Sequence, residues 1–156
     1  LFVMMTNRPD KLDTDIKRPG RLDRKIPFFY CQSSAERVQV LQAVLSRYGE
    51  TCAASVEELL SLGETLDGYS NADLEALALL AVEMARRNSA ALDAAVLQAA
   101  ALDFMPPQER DMIEFMELLA VSETSRRSML PKRYRDMALA DIQSHLIQAR
   151  RRALVR

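Results

Sequence analysis

The segment SNADLEALALLAVEMARR, residues 70–87, decides the fold class of this 156-residue chain. Ser70 is followed three residues later by Asp73, a capping-box pattern that begins helices. Apolar side chains then recur at helical spacing along one face, at Leu74, Leu77, Ala78, Ala81 and Ala85. We therefore predict a long helix that buries this face and ends near residues 86–88.

Three further helices are predicted around this segment. Two more Ser-x-x-Glu patterns, at Ser33 and Ser55, begin helices that we expect to end at Gly49 and Gly63. Residues 92–102 form a fourth, alanine-rich helix. Four helices with short connections are typical of a small bundle.

Two more helices are predicted beyond the bundle, over residues 109–125 and 134–154, with a break at Pro131. The composition agrees with packed helices: 49% of the residues are hydrophobic, only 6% are aromatic, and four are glycine. The chain is therefore expected to be mainly α, with a C-terminal helical hairpin.

The N-terminal residues follow a different pattern. Residues 1–5, LFVMM, form a continuous apolar run that predicts a strand buried on both faces. Residues 25–30 predict a second short strand, which Pro27 confines to an edge. Because the run begins without a turn, we expect the chain to be a piece of a longer protein. The first strand would then lack neighbours, and we expect it to be disordered, to fold back on the bundle or to pair with another copy.

Two motifs identify a family resemblance. Residues 6–26, TNRPDKLDTDIKRPGRLDRKI, resemble the second region of homology of the AAA ATPases, T-N-R-P-D-x-L-D-x-x-x-x-R-P-G-R-x-D-R-x-I. The segment departs from the usual family residues at Thr14, Asp15 and Leu22. Residues 68–77, GYSNADLEAL, resemble the family signature G-[FY]-S-G-A-D-[LI], with Asn71 in place of the usual glycine.

The resemblance covers residues 1–107 and implies three parts. Residues 1–30 would be a C-terminal remnant of the α/β nucleotide-binding domain of the AAA+ superfamily. Residues 31–107 would be its lid, a four-helix bundle. Residues 108–156 would be a C-terminal helical extension, for which no motif is recognised.

The resemblance also assigns roles to residues in the first motif. Asn7, after a predicted strand, can hold an attacking water or a γ-phosphate oxygen through its amide, and the family places sensor 1 there. Arg18 and Arg21 would be arginine fingers that reach ATP bound by the neighbouring subunit, where a planar guanidinium stabilises the transferring phosphate. Arg24 is expected to form a structural ion pair near the same interface, with Asp13 or Asp23.

The second motif is expected to contact the nucleotide. By the resemblance, Ser70, Asn71 and Ala72 would line the base and ribose through backbone groups at a helix N-terminus. A plain helix N-cap explains the same residues equally well, and both readings stay open. No metal-ligating residues are predicted in this chain.

The chain has neither a phosphate-binding loop of the form G-x-x-x-x-G-K-[ST] nor an acidic strand end for Mg²⁺. We expect it alone neither to bind ATP tightly nor to hydrolyse it; ATP and Mg²⁺ would be the cofactors of the full-length protein. The resemblance implies a ring of identical subunits, a hexamer, which remodels or unfolds a protein substrate through rotation of the lid.

Charge and cysteine content leave one alternative function. Residues 124–156 contain nine Lys or Arg and two Asp, whereas residues 31–123 are acidic. The alternative is a non-catalytic helical interaction module whose basic tail binds a protein or nucleic acid; a solvated or intersubunit face is the simpler interpretation. Two cysteines without metal or disulfide spacing and the lack of a long apolar run favour a cytoplasmic protein that does not bind membranes.

Overall fold

The structure is a computed structural model that describes residues 2–106 and 110–154. These residues form helices and no strands, which confirms the mainly α prediction. The helices are α1 Ser34–Arg47, α2 Val56–Thr65, α3 Asn71–Arg87, α4 Ala94–Asp103, α5 Arg110–Glu123, α6 Lys132–Arg135 and α7 Leu139–Leu154. Two single 3₁₀ turns lie at Pro9–Lys11 and Arg127–Met129.

The chain divides into two compact units. One unit is Tyr30–Gln108 and contains α1 to α4. The other unit combines Leu1–Phe29 with Glu109–Arg156. Nearly all of residues 1–30 and 108–156, which the family resemblance implies are separate parts, therefore share one compact unit. The residues Leu1, Pro107 and Glu109, which bound predicted elements, lie outside the described residues.

Helices α1 to α4 surround one apolar core. Its most deeply buried side chains come from α1, α3 and α4 and from the end of α2: Leu41, Leu66, Leu74, Leu77, Ala78, Ala81, Leu97 and Ala100. The alanines on α3 let neighbouring helices approach closely, because a methyl group fills little space. The predicted core face of residues 70–87 is therefore the buried one.

Gly63 does not end α2 as predicted. The helix continues through Gly63 to Thr65, and Gly63 is buried. A Cβ atom at this position would lie 2.8 Å from the carbonyl oxygen of Ser34. The Gly63 carbonyl also accepts a 2.6 Å hydrogen bond from Nε of the buried Arg37. The glycine is thus required for close approach of α1 and α2 rather than for a turn.

The second unit is built on α5 and α7, whose apolar sides share a core that includes Phe115, Leu118 and Ile142. The helix predicted for residues 134–154 ends at Leu154 as expected but is interrupted near its start, because α6 stops at Arg135 and α7 begins at Leu139. Nη1 of Arg127 donates to the carbonyls of Arg135 and Met137, at 3.0 and 3.1 Å. The guanidinium therefore satisfies carbonyl groups that a continuous helix would have bonded internally.

The predicted N-terminal strands are also absent. Residues 2–6 and 25–30 have no regular secondary structure, and the Phe2 side chain is 75% exposed. A strand requires hydrogen-bonding partners on neighbouring strands. No strand in residues 2–106 or 110–154 offers one, so the apolar run cannot form the buried strand that its composition favours.

Candidate functional site

The turn that holds Asn7 is fixed by its neighbours. The Arg8 backbone N–H donates to Oγ1 of Thr6 at 3.0 Å, across Asn7. The Arg8 guanidinium donates twice to Asp10, at 2.9 and 2.7 Å, and lies 5.8 Å from the centroid of the Phe115 ring on α5. Hydrogen bonding from Arg8 holds the pKa of Asp10 below its usual value. Asn7 is exposed on this anchored turn.

Arg18 and Arg21 are brought together by one residue, Asp15. Nη2 of Arg18 lies 3.0 Å from the Asp15 carboxylate, and the Arg18 side chain is 70% exposed. Nη1 of Arg21 donates to the Asp15 backbone carbonyl at 3.0 Å. Gly20, with a φ of +87°, makes the turn between the two arginines. The loop therefore presents two exposed arginines that share Asp15 as a partner.

The carboxylates of Asp13 and Asp23 accept backbone N–H groups of this loop and do not form the ion pair predicted with Arg24. Asp13 accepts the backbone N–H of Asp15 at 2.8 Å. Asp23 accepts the backbone N–H of Gly20. Arg24 is exposed and forms no ion pair with either carboxylate in the described part of the chain. Both aspartates act as turn-stabilising acceptors, which is a common use of this residue in loops.

The first turn of α3, in the other compact unit, is closed by a full capping box. Ser70 accepts the Asp73 N–H at 3.1 Å, and the Asp73 carboxylate accepts the Ser70 N–H at 2.9 Å. Asn71 and Ala72 are exposed, and their backbone N–H groups bond to none of the described residues. The Asn71 side chain accepts a 3.4 Å hydrogen bond from Sγ of Cys31, whose pKa is raised by burial.

Glu123, at the end of α5, binds two lysines of the first motif, a contact that the sequence did not predict. Its carboxylate accepts from Nζ of Lys17 at 2.6 Å and from Nζ of Lys25 at 3.1 Å. Burial raises the pKa of Glu123, but the two lysines outweigh this effect and hold the pKa below its usual value. The pairs join residues about one hundred positions apart, and no local pattern signals such a contact.

Three proteins of known family are similar to this chain. The 26S proteasome regulatory subunit 6B homolog of Aspergillus niger is 31% identical over 113 residues, which cover 72% of this chain and 27% of that protein. The peroxisomal ATPase pex1 of Schizosaccharomyces pombe is 41% identical over 76 residues, 49% of this chain and 8% of its own length. The 26S proteasome regulatory subunit S10B homolog B of Arabidopsis thaliana is 41% identical over 75 residues, which cover 47% of this chain and 17% of that protein.

The chain belongs to the AAA ATPase family. The predicted resemblance is thereby confirmed, and so is the mainly α fold with a lid-type bundle. This AAA ATPase chain spans between 8% and 27% of the length of the three relatives. No family model and no solved structure matches it.

The basic tail of this AAA ATPase chain uses many of its arginines internally. Arg133 pairs with the buried Glu117 and lies 4.6 Å from the centroid of the Tyr134 ring. Arg152 donates to Glu114 at 2.9 Å. Arg127 and Arg135 donate to backbone carbonyls within the same unit. These bonds favour a structural role for the arginines over binding of nucleic acid.

The described residues of the AAA ATPase chain contain no group of three or more His, Cys, Asp or Glu that could hold a metal ion. Both cysteines are free thiols. None of the helices in residues 2–106 and 110–154 combines the length and apolar character needed to span a bilayer.

Proposed function

We propose that this chain supplies sensor 1, two arginine fingers and the lid of an AAA ATPase subunit, in a ring that hydrolyses ATP to remodel protein substrates. The observation that carries the proposal is the pair of exposed guanidinium groups of Arg18 and Arg21 on one loop. Family membership supports the same roles, because the two motifs occur at the family's spacing.

The chemistry of phosphoryl transfer explains why arginines suit this role. Negative charge spreads over the oxygens of the transferring phosphate, and a positioned guanidinium stabilises it. The ion pair between Arg18 and Asp15 is exposed, and exposed pairs contribute little stability. A triphosphate, which carries more charge, can therefore take the place of Asp15 as the partner of Arg18.

The lid would meet the base and ribose of the nucleotide. The backbone N–H groups of Asn71 and Ala72 are exposed donors that fit neutral acceptor atoms on such a ligand. The Asp73 carboxylate lies in the same turn, which disfavours a phosphate there. The described part of the chain has no group of three or more carboxylate, histidine or cysteine side chains that could hold Mg²⁺.

Substitution of each finger tests the proposal. In the full-length protein, Arg18→Ala and Arg21→Ala should each lower kcat for ATP hydrolysis by about 10³-fold or more. Lys11→Ala is the matched control, because Lys11 is an exposed cation of the same segment at a variable position of the motif. Unchanged kcat in both arginine variants would contradict the proposal.

A mixing experiment tests whether the fingers act on a neighbouring subunit. Subunits with Arg18→Ala are mixed with subunits whose phosphate-binding loop is inactivated, each being inactive alone. If the finger acts between subunits, an intact pocket meets an intact finger in mixed rings and ATPase activity returns. If no activity returns although mixed rings form, the finger acts within its own subunit and this part of the proposal is wrong.

A further inference from the structure

The segment that carries the two fingers is fixed at both of its ends by one carboxylate. Lys17 directly precedes Arg18, and Lys25 directly follows Arg24. Nζ of Lys17 lies 2.6 Å from Oε1 of Glu123, and Nζ of Lys25 lies 3.1 Å from Oε2. Residues 18–24 therefore form a closed loop whose two ends meet at the end of α5. We call Lys17, Lys25 and Glu123 the Glu123 cluster.

A backbone contact adds to the Glu123 cluster at the same place. The Lys25 N–H donates to Oγ of Ser125 at 3.2 Å, and Oγ of Ser125 donates to the Lys25 carbonyl at 3.3 Å. The side of α5 that faces the core buries Phe115, Leu118 and Leu119. Because packed side chains hold a helix in one position, Glu123 and Ser125 offer the finger segment a rigid support.

The Glu123 cluster differs from an ordinary surface ion pair. The side chains of Lys17, Glu123 and Lys25 are only 18%, 22% and 32% exposed, so water screens their charges less than it does for Arg18 and Asp15. Both carboxylate oxygens are used, one for each lysine. Joining the two ends of a short loop also removes many of the conformations open to the residues between them.

We propose that Glu123 is a positioning residue for the arginine fingers. By holding Lys17 and Lys25 together, it fixes the shape of the loop from which Arg18 and Arg21 project. Glu123 itself touches no nucleotide in this proposal and acts only through the lysines. The inference rests on the proposed function for the role of the fingers, but the Glu123 cluster can be tested without any activity.

Limited digestion of the 156-residue chain with endoproteinase Lys-C, which cleaves after lysine and not after the exposed Arg21 and Arg24, tests the Glu123 cluster directly. The protease cleaves after Lys17 or Lys25 only when the lysine leaves Glu123 and enters its active site. Glu123→Gln, which keeps the shape and removes the charge, should speed cleavage at both lysines by about tenfold. Cleavage after Lys11 serves as the internal reference, and Glu114→Gln on the same helix serves as the matched variant. Unchanged cleavage at Lys17 and Lys25 would overturn the inference.

Kinetics of the full-length protein then separate positioning from simple stability. Glu123→Gln should lower kcat about tenfold and leave the KM for ATP nearly unchanged, because the fingers act on the transition state at a neighbouring pocket. Glu123→Asp, which retains the charge on a shorter side chain, should restore part of kcat. Lys17→Gln combined with Lys25→Gln should reproduce the defect from the opposite side of the Glu123 cluster.

The outcomes distinguish the two proposals. If Glu123→Gln frees both lysines but kcat stays at the wild-type value while Arg18→Ala lowers it, the positioning role is wrong and the finger function stands. If Arg18→Ala and Arg21→Ala both leave kcat unchanged, the proposed function fails and the role of Glu123 fails with it. A fall in kcat that Glu123→Asp does not relieve at all would also overturn the positioning role.

Discussion

Gly63→Ala should destabilise the bundle of α1 to α4, although alanine is the better helix former. The added Cβ would lie 2.8 Å from the Ser34 carbonyl oxygen and 3.1 Å from Cγ2 of Val38. Overpacking of a buried site lowers the free energy of unfolding by about 1–3 kcal/mol, whereas the higher helix propensity of alanine raises it by about 1 kcal/mol. Because the nearest atom belongs to the backbone of α1, we expect the upper half of the cost and a net loss of about 1–2 kcal/mol.

Urea unfolding followed by circular dichroism measures the change in free energy. Hydrogen exchange of the amide protons in α1 and α2 then assigns the loss to this bundle rather than to the other compact unit. Ser61→Ala is the control, since Ser61 lies on the exposed face of α2 and changes helix propensity without a new contact. Equal or greater stability of Gly63→Ala would refute the reasoning, because the two helices would then separate at no cost.

Three further predictions follow from ionisable and capping groups. The folded pKa of Glu123 lies below its ordinary value of 4.5, so its ion pairs stabilise the folded chain above that pH and are lost as the pH falls through the folded pKa. The difference in unfolding free energy between wild type and Glu123→Gln should therefore shrink below pH 4.5, and a constant difference would contradict this. Ser70→Ala should cost about 1 kcal/mol and speed hydrogen exchange at the Asp73 amide, whereas Ser70→Thr keeps the cap; unchanged exchange would show that the cap contributes nothing. Burial raises the pKa of Tyr134 to about 12, so an ultraviolet absorbance titration should show a late-ionising tyrosine that Tyr134→Phe removes, and its persistence in that variant would refute the assignment.

The helix starts could be predicted from sequence because their signals are local. At Ser55 and Ser70, the serine that caps the helix and the carboxylate that accepts the backbone N–H of that serine are three residues apart. The capping box therefore depends on a few neighbouring residues and survives in any tertiary context. The apolar face of α3 is equally local, because its spacing alone determines which side is buried.

The errors all involve partners that are distant in the chain. Gly63 has the sequence signature of a helix end, but its use depends on Ser34 in a different helix. The break before α7 depends on Arg127, whose guanidinium takes the carbonyls of Arg135 and Met137. Residues 2–5 favour a strand by composition, yet a strand forms only beside another strand.

In the candidate site, too, local patterns could be predicted and contacts between distant residues could not. The motif residues Asn7, Arg18 and Arg21 could be named from sequence, because the family pattern fixes their spacing. The support from Lys17 and Lys25 to Glu123 could not, since its members are separated by about one hundred residues. Asp15, a departure from the usual family residues, gave no sequence signal for its contacts with Arg18 and Arg21.

One compact unit combines the segment up to Phe29 with α5 and α7, so this unit cannot fold until both parts have left the ribosome. The segment up to Phe29 emerges before helices α1 to α4, whereas α5 and α7, which belong to the same compact unit as that segment, are translated after them. Helices α1 to α4 are made in between and can close their own core before the segment that carries Arg18 and Arg21 has its packing partners. Completion of that unit must then bring together residues that the whole bundle separates, so it should be the slow step in maturation of the newborn chain.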